Sequence, residues 1–132
     1  MYQILLIDDT AADNFLHARA LRKRFPGCEV HVAEHGARGL EILAERRDAG
    51  VDLVLLDVNM PVMDGWQFLD RYGRLPESAR AGLVLLMVSI ALPAADRERV
   101  RACASVAGTV AKPLDCEAVA AYLTEKAAFG RT

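Results

Sequence analysis

Three stretches of the chain are apolar without alternation or helical spacing: residues 4–7, the run that starts at Val51 and continues through 53–56, and residues 83–88. Unbroken Val, Ile and Leu runs of this length are the pattern of strands buried on both faces. Residues 29–33 alternate instead, with Val30 and Val32 against His31, which suits a strand nearer a sheet edge. Residues 106–111 read as a short fifth strand. Between the strands the period changes. Residues 10–25 are predicted helical, with Thr10 as N-cap, Asp13 three residues on, and Phe15, Ala18, Leu21 and Phe25 on one face. Pro26-Gly27 ends that helix. Residues 37–47 follow Gly36 with Leu40, Leu43 and Ala44 as the apolar stripe. Residues 66–72 place Phe68 and Leu69 inward, 74–81 is loop around Pro76, and 94–104 begins after Pro93. Asp115 caps a last helix that turns Ala118, Val119, Tyr122 and Leu123 inward.

Five strands alternating with five helices imply a parallel α/β sheet covered on both faces, with right-handed crossovers. No repeat, low-complexity tract or linker interrupts the pattern, so residues 1–132 are expected to form one domain. Composition narrows the function. A formal charge of −2 gives no bulk attraction to nucleic acid. The basic clusters at Arg19/Arg22/Lys23/Arg24 and Arg97/Arg99/Arg101 read as solvated helix faces. Cys28, Cys103 and Cys116 are an odd set without metal-ligand spacing, as expected of reduced thiols in a cytoplasmic protein. The start of the chain lacks a basic n-region, and no apolar run approaches a membrane span. His17, His31 and His35 are scattered and are expected at the surface.

In a parallel sheet the C-terminal strand ends share one edge, where ligands bind in open α/β folds. Here those ends carry Asp8-Asp9, Asp57, Ser89 and Lys112. Each has an ordinary reading alone: an acidic pair at a helix start, a turn aspartate, a strand-end serine, a solvated lysine. Together they form a constellation. Crowded carboxylates repel and favour a bound cation, and hard oxygen donors in an open site suit Mg²⁺. Lys112 adds a point charge and Ser89 a hydrogen-bond donor for phosphoryl oxygens. Asp57 is then placed as the nucleophile of an in-line phosphoryl transfer that forms an acyl phosphate.

The same residues resemble a known family. Asp8-Asp9, the segment Asp57-Val58-Asn59-Met60-Pro61-Val62-Met63-Asp64-Gly65, then Ser89 and Lys112-Pro113, are similar to the receiver domains of bacterial response regulators, the CheY-like phosphoacceptors of two-component phosphorelays. The resemblance runs from Tyr2 to about Ala127. It implies a flavodoxin-like doubly wound sheet of order 2-1-3-4-5. It implies phosphorylation of Asp57 by a sensor histidine kinase or histidine phosphotransfer protein. Asp9 and Asp57 would hold Mg²⁺ directly, Asn59 through its backbone carbonyl and Asp8 partly through water. Ser89 would move to bond the phosphoryl group and Lys112 would pair with it. The Lys112-Pro113 bond is often cis in such domains.

Three positions depart from the common receiver pattern. Thr109 stands where many members carry an aromatic switch residue, Ile90 follows Ser89 where alanine is common, and Ala91 offers no group to orient a hydrolytic water. The chain is expected to be a stand-alone cytoplasmic phosphoacceptor switch rather than an enzyme acting on an external substrate. It would be a monomer or weak dimer, engage no nucleic acid or membrane, and be read by an unidentified downstream protein. Two alternatives stay open. One is a phosphorylation-independent adaptor, which Asp57→Asn would leave able to bind its partner. The other is a small-molecule phosphatase with an aspartyl-phosphate intermediate. Against it, Asn59 occupies the position where such enzymes place a second carboxylate.

Overall fold

The computed structural model describes residues 2–58, 65–88 and 92–129. The elements run β1 (Gln3–Ile7), α1 (Ala11–Arg24), β2 (Glu29–Ala33), α2 (Gly36–Glu45), β3 (Leu53–Asp57), α3 (Gly65–Tyr72), β4 (Leu83–Val88), α4 (Ala94–Ala102), β5 (Gly108–Ala111) and α5 (Cys116–Phe129). The strands form one parallel sheet of order β2-β1-β3-β4-β5. This is the flavodoxin-like arrangement the sequence implies. Helices α2 and α3 lie over one face and α1 and α5 over the other.

The unbroken apolar runs now have a physical reason. Within β1 and β3 alternate residues feed opposite cores. Leu5, Ile7, Val54 and Leu56 pack with Ile42, Leu43, Phe68 and Leu69. Ile4, Leu6, Leu53 and Leu55 pack with Ala18, Leu21, Val119 and Leu123. Both faces exclude water, so neither can carry polar residues. Each such leucine gains about 1.5–3 kcal/mol by burial, and Leu55, with no exposed surface, would cost about 2–5 kcal/mol on truncation to Ala. Strand β2 lies at the edge and keeps Val32 exposed.

Several expectations shift in detail. Thr10 is the N-cap of α1, but its side chain makes no capping hydrogen bond. Phe15 points outward, 67% exposed. The buried face of α1 is Asn14, His17, Ala18 and Leu21. Ala18 and Leu21 are inward as the spacing predicts, but Asn14 takes the place of Phe15, so two polar side chains, Asn14 and His17, lie at the end near the strand tips. Hydrophobicity alone cannot find such a face, because its upper turn serves a polar rim. Likewise α2 buries Ile42 and Leu43 and exposes Ala44. His35 is the N-cap of α2, its Nδ1 accepting from the Arg38 N–H at 3.1 Å. The loop after α3 contains a single 3₁₀ turn, Glu77–Ala79. In α4 the basic residues are not all simply solvated: the Arg99 guanidinium stacks over the Trp66 ring, 4.2 Å from its centroid.

Candidate functional site

Strand β1 ends at Ile7, so Asp8 and Asp9 emerge at the C-terminal edge beside Asp57, the last residue of β3. Two strands further across, Lys112 follows β5, its N–H donating to the carbonyl of Val88 at the end of the intervening β4 at 2.9 Å. The topology therefore brings together the predicted residues Asp8, Asp9, Asp57 and Lys112. Ser89 and Asn59 lie outside the described residues, as do Ile90 and Ala91. The Lys112-Pro113 peptide bond is cis.

Asp8 is fully buried. Its Oδ1 accepts the Thr10 N–H at 2.9 Å, and its main-chain carbonyl accepts from Asn14 Nδ2 at 2.8 Å. The second oxygen, Oδ2, is paired with the Lys112 ammonium at 2.7 Å and meets no other donor among the described residues. One ligand oxygen from each of Asp8, Asp9 and Asp57 lies within 4.8 Å of the others. Three hard carboxylate oxygens this close, one of them on the exposed Asp9, fit a divalent cation that keeps part of its water, as Mg²⁺ does.

Lys112 is the cation of the site. Its side chain is 14% exposed and reaches Asp8 at 2.7 Å, Asp13 at 3.1 Å and Asp57 at 3.6 Å. Burial alone would lower its pKa. Hydrogen bonds to Asp8 and Asp13 and the charge of Asp57 outweigh that, so the ammonium is held above its ordinary range and stays protonated.

Two contributors were not legible as site residues. Asp13, read as part of a helix entry, is a direct partner of Lys112. His17, expected at the surface, is 4% exposed, and its Nε2 accepts the Leu114 N–H at 3.3 Å. Burial lowers its pKa; the Asp13 and Asp8 carboxylates pull it up and Lys112 pushes it down. The i, i+4 spacing of Asp13 and His17 was the available signal, since it sets both over the same stretch of α1.

Gly65 fixes the return of the chain after Asp57. Its N–H donates to the Val58 carbonyl at 2.8 Å. A Cβ there would lie 2.9 Å from Val58 Cα and 3.1 Å from the Asp57 carbonyl oxygen. Only glycine permits so close a backbone approach. The contact sets the first turn of α3 against the end of β3. Among the described residues no helix is long and apolar enough to cross a membrane.

The family described as response regulator receiver domain matches residues 4–124. The chain is 35% identical over 128 residues to a protein-glutamate methylesterase/protein-glutamine glutaminase 3 of Burkholderia thailandensis, covering 95% of this chain and 33% of that protein. It is 28% identical to a probable chemotaxis protein CheY of Rhizobium etli, over 97% of this chain and 92% of that one. The crystal structure of a two-component response regulator from Cytophaga hutchinsonii is similar, with a TM-score of 0.81, 26% identity and 96% of both chains covered. The chain thus spans about a third of the length of the methylesterase it matches and nearly all of the CheY protein. Matched along most of its length, and folded as these proteins fold, the chain belongs to the response regulator receiver domain family and is CheY-like.

Proposed function

We propose that Asp57 is a phosphoacceptor, charged by a histidine kinase or histidine phosphotransfer protein, and that a protein partner reads its phosphorylated state. The observation that carries this reading is the close set of Asp8, Asp9 and Asp57 beside the Lys112 ammonium, at the strand ends of a receiver fold. A stretch of the sensor histidine kinase RcsC of Escherichia coli, 12% of that protein, is 30% identical to this chain over 122 residues.

In this reading Asp8, Asp9 and Asp57, with Asn59, would hold Mg²⁺. When bound, the ion supplies charge neutralisation for phosphoryl oxygens. A carboxylate oxygen of Asp57 attacks phosphorus in line. The O–P bond forms as the N–P bond of the donor phosphohistidine breaks. The electron pair returns to the imidazole nitrogen, which takes a proton from solvent. Lys112 stabilises the negative charge on the transferred group, and Ser89 donates a hydrogen bond to it. The product bias of a two-state equilibrium is then available to a protein partner. The protein works in the cytoplasm as a monomer or weak dimer.

Incubation with Mg²⁺ and acetyl phosphate tests the reading. Intact mass is expected to show a single phosphoryl adduct that Asp57→Ala abolishes. A wild-type protein that takes up no phosphoryl group, or an adduct that survives Asp57→Ala, overturns it.

A further inference from the structure

Lys112 is closer to Asp13 than to Asp57. The ammonium has three N–H donors and meets Asp8 at 2.7 Å, Asp13 at 3.1 Å and Asp57 at 3.6 Å. Two of these carboxylates are fixed by the sheet edge. Asp13 comes from α1 and is the more loosely held, with 37% of its side chain exposed against none for Asp8. Beside it a cavity of about 330 Å³ is lined by Asp13, Leu16, His17, Lys112 and Pro113, so Asp13 has room to withdraw. One turn along α1, His17 separately holds Leu114. Release of Lys112 by Asp13 therefore need not detach α1 from the segment after β5.

We propose that Asp13 is a positioning residue that restrains Lys112 in the resting protein and must give it up when Asp57 is phosphorylated. The inference rests on the reading of Asp57 as phosphoacceptor. In the resting state Asp13 shares the positive charge that Asp57 would otherwise receive. A phosphoryl group brings about 1.5 to 2 negative charges and draws the ammonium toward itself. The exchange of Asp13 for phosphoryl oxygen then reports the chemistry to α1. Asp13 never touches the reacting atoms; it acts through the lysine. Its negative charge thus opposes the reaction it borders.

The test is a double-mutant cycle on the rate of phosphorylation by acetyl phosphate with Mg²⁺, followed by intact mass. Asp13→Asn keeps the shape and removes the charge. It is expected to phosphorylate about 3- to 10-fold faster than wild type, with thermal unfolding showing an intact fold, and Asp13→Glu is expected to restore a slow rate. In a Lys112→Met background, or Lys112→Gln if the first does not fold, the gain from Asp13→Asn should fall below about twofold. A general electrostatic effect of Asp13 on the anionic donor would persist without the lysine. An Asp13→Asn rate equal to or below wild type, or a gain that survives the loss of Lys112, overturns the proposal while leaving Asp57 as acceptor. A wild type that takes up no phosphoryl group removes the functional reading itself, and this proposal with it.

Discussion

The backbone N–H of Leu114 donates to His17 Nε2 at 3.3 Å, so a buried histidine of α1 holds the segment that follows Lys112. An accepting Nε2 assigns the proton of the neutral ring to Nδ1, which is buried without a hydrogen-bond partner. Protonation would set an N–H on Nε2 against the N–H of Leu114. That conflict and the burial of the ring both favour the neutral form, in the same direction as its lowered pKa.

Stability is therefore expected to fall with acidity below the ordinary histidine range. The unfolded chain binds a proton near pH 6.5, whereas the folded ring resists it, so the unfolded state takes up more protons as pH drops. The contribution of the neutral ring is complete above that value and is lost as pH falls through the lowered folded value. Asp13 and Asp8 oppose the shift and Lys112 reinforces it. Urea unfolding at pH 7.5 and 5.5 measures the effect, whose slope is bounded at about 1.4 kcal/mol per pH unit. His17→Gln, which retains an acceptor for Leu114, should flatten the dependence. An unchanged slope would show that the carboxylates alone set it.

Removing Lys112 should expose what Asp8 costs. The pair is 2.7 Å apart and Asp8 is fully buried, and stripping one partner from a buried ion pair destabilises by about 3–5 kcal/mol. Lys112→Met preserves most of the side-chain volume and leaves the carboxylates uncompensated. The expected outcome is a lower unfolding temperature in a chelator, with a larger stabilisation by Mg²⁺ than wild type shows. A variant as stable as wild type without metal would show that the Asp8–Lys112 pair adds no net stability.

The parts of this protein that were legible in sequence are those set by burial on two faces. Runs such as 53–56 and 83–88 have few alternatives once turn residues bound them, and the parallel order follows from crossovers. Asp57 and Lys112 were legible because they interrupt apolar runs at strand ends. His17 and Asp13 were not, because a helix face that meets a polar rim carries no hydrophobic signature. Phe15, the more apolar residue, is expected inward from its spacing but points outward. Tertiary context put Asn14 and His17 inward in the first turns of α1, through their hydrogen bonds to Asp8 and Leu114.

Gly65 should tolerate no side chain. The atoms that an added Cβ would meet belong to the backbone of Asp57 and Val58 and cannot turn aside as a flexible side chain could. Relief requires displacing α3 from the end of β3. Gly65→Ala is expected to lower stability by about 1–3 kcal/mol and to weaken the Mg²⁺ binding proposed for the Asp8, Asp9 and Asp57 set, since the Asp57 backbone is among the atoms displaced. Denaturant unfolding and metal titration measure the two effects. Full retention of both would show that the approach at Gly65 relaxes without cost.

An acyl phosphate on Asp57, if the proposed chemistry holds, should be long-lived. Its hydrolysis needs a water placed opposite the leaving carboxylate oxygen. Ile90 and Ala91, the two residues after Ser89, are apolar and supply no group to hold that water. The side-chain amide of Asn59 is the remaining polar candidate near Asp57 in the sequence. Positioned acid–base groups contribute factors of about 10² to 10⁴ where they act fully; a single water-holding amide should give less. Ala91→Gln is expected to shorten the lifetime about 5- to 10-fold, measured as loss of the phosphoryl mass after the donor is removed with Mg²⁺ present. A wild-type adduct that disappears within seconds would place the hydrolytic water elsewhere, on Asn59 first, and Asn59→Ala would then be the variant that prolongs it.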